Sequence, residues 1–101
     1  SYYYGLMGMA KKMVSERSLQ LTRFMSQLRK EAKATSSVKL TAKDLDDLVF
    51  ADEQYFQRQT ALDDANFKYE LLKGLVRALE QKKDMLQQAS ANKREETKLY
   101  K

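Results

Sequence analysis

The feature that most constrains the fold of this chain is the absence of proline from its 101 residues. Proline breaks helices and glycine weakens them, and only three glycines are present. Long helices can therefore run with little interruption. One clear loop signal stands at ATSSVK, residues 34–39, where hydroxyl side chains can bond to their own backbone and compete with helix. The sequence predicts an all-α protein with two helices.

The first predicted helix covers about residues 3–33 and is followed by a loop at 34–40. Its apolar residues recur at steps of three and four, interrupted by Arg17. They are Leu6, Ala10, Met13, Leu21, Phe24, Leu28 and Ala32, with Met9, Val14 and Met25 on the flanks. This spacing predicts an amphipathic helix with one broad apolar face.

The second predicted helix covers about residues 42–97. Thr41 is the predicted N-cap, and Asp44 three residues later completes a variant of the capping box. A heptad pattern follows, apolar except at Arg58 and Lys83: Leu48, Ala51, Tyr55, Arg58, Leu62, Ala65, Tyr69, Leu72, Val76, Leu79, Lys83 and Leu86. This pattern predicts a coiled-coil-like packing surface.

Two helices joined by a short loop are expected to form an antiparallel hairpin, and residues 1–101 to form a single domain. The charge distribution favours this pairing. Counting Lys and Arg against Asp and Glu, residues 1–41 carry a net charge of +6, residues 42–70 of −5 and residues 71–101 of +4. The hairpin lays the acidic start of the second helix beside the basic end of the first.

A second apolar stripe lies on the later part of the second helix, rotated away from the heptad surface. It consists of Phe67, Leu71, Gly74, Ala78 and Met85. A two-helix hairpin buries little apolar surface and is marginal alone. Gly74 and Ala78 would allow a neighbouring helix to approach closely. The stripe is therefore the predicted interface of a homo-oligomer.

The composition excludes most catalytic and metal-binding chemistry. Without cysteine or histidine the chain has no disulfides, no thiol nucleophile, no Ser-His-Asp set and no zinc site of the usual kinds. The carboxylates lack the spacing of a calcium loop. We expect no enzyme, no cofactor and no metal site. No apolar run approaches the roughly 20 residues that span a bilayer, and we expect a cytoplasmic protein without a membrane partner.

Basic residues dominate both ends of the chain and predict a surface for nucleic acid, since Lys and Arg neutralise phosphates and release counterions. Tyrosines can stack on unpaired bases, and YYY at residues 2–4 lies close to Lys11 and Lys12. The candidate DNA-binding residues are Lys11, Lys12, Arg29, Lys30, Lys33, Arg77, Lys82, Lys83 and Arg94.

Residues 55–96 resemble the C-terminal half of UvsY-like phage proteins. The matching positions are Tyr55, Tyr69, Leu72, Leu75, Ala78, Leu79, Lys82, Lys83, Leu86, Arg94 and Glu95. Upstream, LRKEAK at residues 28–33 resembles the basic cluster of that family, which is implicated in DNA binding. The chain has ATSSVK where the family has a Tyr-Ser-Gly turn.

UvsY-like proteins are recombination mediators, so the resemblance implies a specific function. It implies a ring-like or barrel-like oligomer of helical hairpins that binds single-stranded DNA on its basic surface. The oligomer would help a recombinase to displace a single-strand-binding protein in the cytoplasm of a host bacterium. Arg29, Lys30 and Lys33 match the basic element of the family and are the first candidates for DNA contact.

Two other functions also fit the residues. The chain could be a structural or scaffolding hairpin, such as a virion or secretion-type component, with its basic residues serving solubility or an acidic partner. It could also lie on a membrane surface, since YYYGLMGMAKKM combines aromatic residues, methionine and lysine. Binding to single-stranded DNA is the reading we test first.

Overall fold

A computed structural model describes residues 2–99, with side-chain detail for residues 2–95. Within this range the protein has three helices: α1 spans Tyr2–Thr35, α2 spans Ala42–Ala51, and α3 spans Glu53–Leu99. The described chain contains no strand, so the all-α prediction is confirmed. The molecule is elongated, with extents of 91 × 23 × 16 Å.

The turn between α1 and α2 is held by local hydrogen bonds. Ser36 Oγ donates to Val38 O at 2.7 Å and accepts from Val38 N at 3.2 Å. Asp44 N donates to Thr41 Oγ1 at 3.2 Å, and Thr41 N donates to Asp44 Oδ2 at 3.0 Å. The predicted cap at Thr41 and its capping box with Asp44 are confirmed.

The prediction of one uninterrupted second helix is wrong at Asp52. This residue has an extended backbone, with φ −75° and ψ 129°, and ends α2. Its Oδ1 accepts hydrogen bonds from Gln54 N at 2.8 Å and Tyr55 N at 3.1 Å. A carboxylate that caps the first free N–H groups of a helix favours a new start over continuation. Asp52 therefore separates α2 from α3.

The break changes which residues of α2 face inward. Leu45 and Val49 are buried, whereas Leu48 and Ala51, both predicted for the packing surface, are exposed. From Tyr55 to Val76 the predicted register holds, because Ala65 and Val76 are buried and Leu62, Tyr69 and Leu72 are half-buried. Leu79 and Leu86, later in the same pattern, are exposed. Arg58, an exception in the heptad pattern, lies with its guanidinium carbon 4.2 Å from the ring centroid of Phe24.

Helices α1 and α3 pack antiparallel. Phe24 lies beside Arg58, Arg17 beside Ala61, and Ala10 lines one groove with Leu72. Arg17, which interrupts the apolar pattern of α1, is half-buried, and its Nη1 donates to Ala61 O at 2.7 Å. Arg17 therefore fits into the interface because its side chain extends along the apolar surface and its guanidinium reaches a backbone carbonyl of α3.

Candidate nucleic-acid interface

Beyond the start of α1, the face of α3 that packs on α1 continues without a partner. We call this surface the distal strip. It is a shallow groove on a single helix, lined by Leu79, Lys82, Lys83, Leu86, Gln87, Ser90, Ala91 and Arg94. All of these residues are exposed. Three cations with leucine side chains between them are suited to a ligand that combines phosphates with apolar rings.

No ion pair within the described residues engages Lys82, Lys83 or Arg94. The described carboxylates nearest in sequence, Glu80, Asp84 and Glu95, are not among the residues that line the strip. The structure therefore brings together three predicted DNA-binding residues on one helix face with their charged groups in solvent.

Tyrosines stand where the distal strip begins. Ala10 of α1 and Leu72 of α3 line the same groove. Tyr3 lies seven residues before Ala10 and Leu79 lies seven residues after Leu72, which is about two helical turns in each case. Because the helices are antiparallel, Tyr3 and Leu79 lie at about the same level. Tyr2 and Tyr3 are exposed, and their ring centroids are 5.3 Å apart in an edge-to-face arrangement. Aromatic surface thus lies level with the first leucine of the strip.

The predicted cluster of Arg29, Lys30 and Lys33 lies at the other end of the molecule, and one of its cations is engaged in an ion pair within the chain. Arg29 Nη2 donates to Asp46 Oδ1 at 2.8 Å in a part-buried ion pair that joins α1 to α2. Lys30 and Lys33 remain exposed. Arg23 and Lys30 line a shallow surface together with Ser26, Gln27 and Glu31. Because Arg29 already has a carboxylate partner, this end offers a phosphate fewer free cations than the sequence predicts.

The remaining predicted cations are dispersed. Lys11 and Lys12 are exposed on α1, and Lys12 Nζ lies 4.0 Å from Glu16 Oε1 in an exposed pair. Arg77 is exposed on α3 outside the distal strip. These three residues do not join either cluster.

Arg17 and Arg23 are not among the predicted site residues. Arg17 was treated as an interruption, although an arginine at an inward helical position signals a side chain that extends toward a polar partner. Arg23 was not selected as a site residue. Its spacing of seven from Lys30 places both on one helix face, and that periodicity could have indicated it.

The predicted oligomer stripe is exposed along α3 and is called the outer face below. It comprises Phe67, Leu71, Gly74, Ala78 and Met85. Phe67 is 63% exposed and Leu71 is 58% exposed. A Cβ added to Gly74 would meet no atom within 4 Å. The fold of a single chain therefore does not use these residues for its own packing.

No group of three or more carboxylates that could hold a metal ion occurs among the described residues. None of the helices in the described part of the chain is long and apolar enough to cross a membrane. Hydrogen bonds from the Thr41 backbone N–H and from the Thr41 side chain lower the pKa of Asp44.

Comparison of the chain with family models, with curated proteins and with solved structures finds no match. The resemblance of residues 55–96 to UvsY-like proteins accordingly stays a prediction.

Proposed function

We propose that this protein is a homo-oligomeric single-stranded-DNA-binding recombination mediator that helps to load a recombinase. The observation that carries the proposal is the distal strip, where Lys82, Lys83 and Arg94 lie on one exposed helix face without a carboxylate partner in the described chain. The roles toward a recombinase and a single-strand-binding protein rest on the family resemblance alone.

The strip has the chemistry that sequence-independent single-strand binding needs. Ammonium and guanidinium groups contact phosphates, which every sequence carries. Exposed tyrosines at residues 2 and 3 lie level with the start of the strip and offer rings on which unpaired bases stack. A single strand bound here would have its backbone along α3 and its bases toward the start of α1.

The distal strip is a better site than the cluster of Arg29, Lys30 and Lys33. A phosphate that approaches Arg29 competes with Asp46, whose oxygen lies 2.8 Å from the guanidinium. Glu31 also lines the surface that contains Lys30. The acidic start of the second helical segment thus reduces the positive potential at this end.

Two triple variants with the same change in charge test the assignment. One is Lys82→Gln, Lys83→Gln and Arg94→Gln, and the other is Arg29→Gln, Lys30→Gln and Lys33→Gln. Affinity for single-stranded DNA of several sequences is measured against salt concentration. With about 0.7 in slope for each phosphate neutralised, the distal variant should flatten the log–log slope by about 2 for all sequences alike. The other variant should change it less.

Circular dichroism on both variants excludes loss of helix as the cause. A larger effect from the Arg29 variant would transfer the site to the other end of the molecule. A parent protein that does not bind single-stranded DNA would reject the proposal.

The outer face supports a second candidate, a scaffolding hairpin without a nucleic-acid role. Its large exposed apolar residues, Phe67, Leu71 and Met85, fit helix packing in an assembly and require no DNA. A parent protein that self-associates and does not bind single-stranded DNA at low salt would establish this alternative.

A further inference from the structure

The outer face has two large residues followed by two small ones, an order that complements itself in an antiparallel pair. Phe67 and Leu71 are large, and Gly74 and Ala78 follow at steps of three and four with open space above the Gly74 backbone. If a second copy of α3 runs antiparallel about a two-fold axis between residues 72 and 73, Phe67 faces the partner's Ala78 and Leu71 faces the partner's Gly74. Large side chains then enter the spaces that the small residues leave.

Charges beside the outer face favour the same arrangement. In this register Glu70 lies beside the partner's Arg77, and the two-fold axis repeats the pair. Within one chain Glu70 has only an exposed 3.8 Å contact with Lys73, and Arg77 has no ion pair among the described residues. The two-fold axis also repeats one like-charge pair in these flanking positions, Asp63 and the partner's Asp84, which lies further out toward the ends of the contact.

Other registers fit less well. A parallel in-register pair sets Phe67 against Phe67, leaves Gly74 against Gly74, and brings Arg77 beside Lys82. An antiparallel pair shifted by one heptad toward the C-terminus sets Arg77 against Arg77 and Lys68 against Lys82. Both lose the fit between large and small residues and introduce repulsion between cations.

We propose that two copies of this chain pair through the outer face of α3 in an antiparallel register, with Phe67 on the partner's Ala78, Leu71 on the partner's Gly74 and Glu70 beside the partner's Arg77. This inference deepens the self-association part of the proposed function and rests on it. The contact spans residues 60–85, where Met85 faces the partner's Thr60. It leaves Lys83 and Arg94 of the distal strip on the far side of α3, while Lys82 of that strip flanks the contact.

Cysteine crosslinking tests the register, because the parent chain contains no cysteine. Thr60→Cys and Met85→Cys are prepared as separate proteins, mixed and treated with a short thiol-reactive crosslinker. Each site is about 37 Å from its own copy in the proposed pair, at 1.5 Å per residue, but adjacent to the other site. The mixture should crosslink and neither protein alone should do so. Crosslinking of each protein with itself would establish a parallel pair and overturn the proposal, as would a mixture that does not crosslink.

Charge reversal tests the flanking pair. Arg77→Glu should weaken self-association about tenfold, because two attractive pairs become repulsive. Adding Glu70→Arg to this variant should restore the parent mass in sedimentation, and Arg23→Glu on exposed α1 is the control of equal charge change. Failure of the double variant to recover would remove the assigned pair. Both experiments use no DNA, so a failure of pairing is distinguishable from a failure of DNA binding.

Discussion

At the scale of single residues, the structure shows why a count of basic residues overestimates the charge available to a ligand. Arg17 and Arg29 both belong to α1, yet Arg17 reaches the Ala61 carbonyl and Arg29 reaches the Asp46 carboxylate. The two side chains fix the position of α1 relative to the other helices. The sequence gives their charge but not their direction, because direction depends on how far each helix is rotated in the hairpin.

Arg17→Ala should lower the free energy of unfolding by about 1 kcal/mol, since it removes a charged hydrogen bond and the packing of the side-chain stem. Arg23→Ala, six residues later on the exposed side of the same helix, should change it by less than about 0.5 kcal/mol. Chemical denaturation of both variants measures the difference. Equal effects would show that the Arg17 contact contributes nothing to stability.

Thr41→Ala should cost about 0.5–2 kcal/mol, because it removes the side-chain acceptor that caps α2. Thr22→Ala is the matched control. The Thr22 hydroxyl is exposed and bonds only to the Ser18 carbonyl of its own helix at 3.0 Å, and alanine favours helix there. Thermal unfolding compares the two, and similar losses at both positions would argue against the cap as the cause.

The other half of the capping box predicts a pH dependence. Since the pKa of Asp44 is lowered in the folded protein, its charged form is stabilising at neutral pH. That contribution is lost as the pH falls through the lowered pKa. The difference in unfolding free energy between the parent and Asp44→Asn should therefore shrink in acid. A difference that does not change with pH would show that the charge of Asp44 is not involved.

At the scale of helices, Asp52 determines which side of α2 faces the other helices. The heptad pattern through Leu48 and Ala51 is real in the sequence, but it assumes one continuous helix. A side chain that caps the following helix interrupts it, and the rotation places Leu45 and Val49 inside. Asp52 followed by Glu53 is an ordinary signal for a helix start, and it was obscured by the apolar residues on both sides.

Two leucines of α2 distinguish the observed break at Asp52 from the continuous helix that the heptad pattern predicts. Leu45 is 7% exposed and Leu48 is 49% exposed. Leu45→Ala should cost about 2–5 kcal/mol, the range for buried leucines, and Leu48→Ala less than about 1 kcal/mol. Equilibrium denaturation measures both. The reverse order would restore the continuous helix that the heptad pattern predicts.

At the scale of the whole molecule, a narrow body leaves much apolar surface uncovered. The helical hairpin, the turn and the register from Tyr55 to Val76 could be predicted because local spacing encodes them. What covers the outer face could not, since a stripe such as Phe67, Leu71 and Gly74 has the same pattern whether it meets another chain or solvent. The overhang that carries the distal strip, by contrast, follows from the unequal predicted lengths of the two helices, and Lys82, Lys83 and Arg94 are among the predicted DNA-binding residues.

If the outer face joins copies, stability should depend on protein concentration. The unfolding temperature of the parent should rise with concentration, because association stabilises the folded state by mass action. Leu71→Asp combined with Ala78→Asp should remove that dependence and keep most of the helix signal. A parent unfolding temperature that is independent of concentration would contradict self-association.

Because α3 extends beyond α1, the molecule has a paired part and an unpaired part. The free energy needed for local unfolding differs between the two. Residues 80–95 form helix with every side chain exposed, and a helix without tertiary contacts is only marginally stable in water. Their backbone amides should exchange with solvent deuterium through small local openings, whereas those around Leu21 and Val76 should exchange mainly when the whole chain unfolds. A ligand on this segment would slow its exchange most, so the amides of residues 80–95 would report occupancy directly.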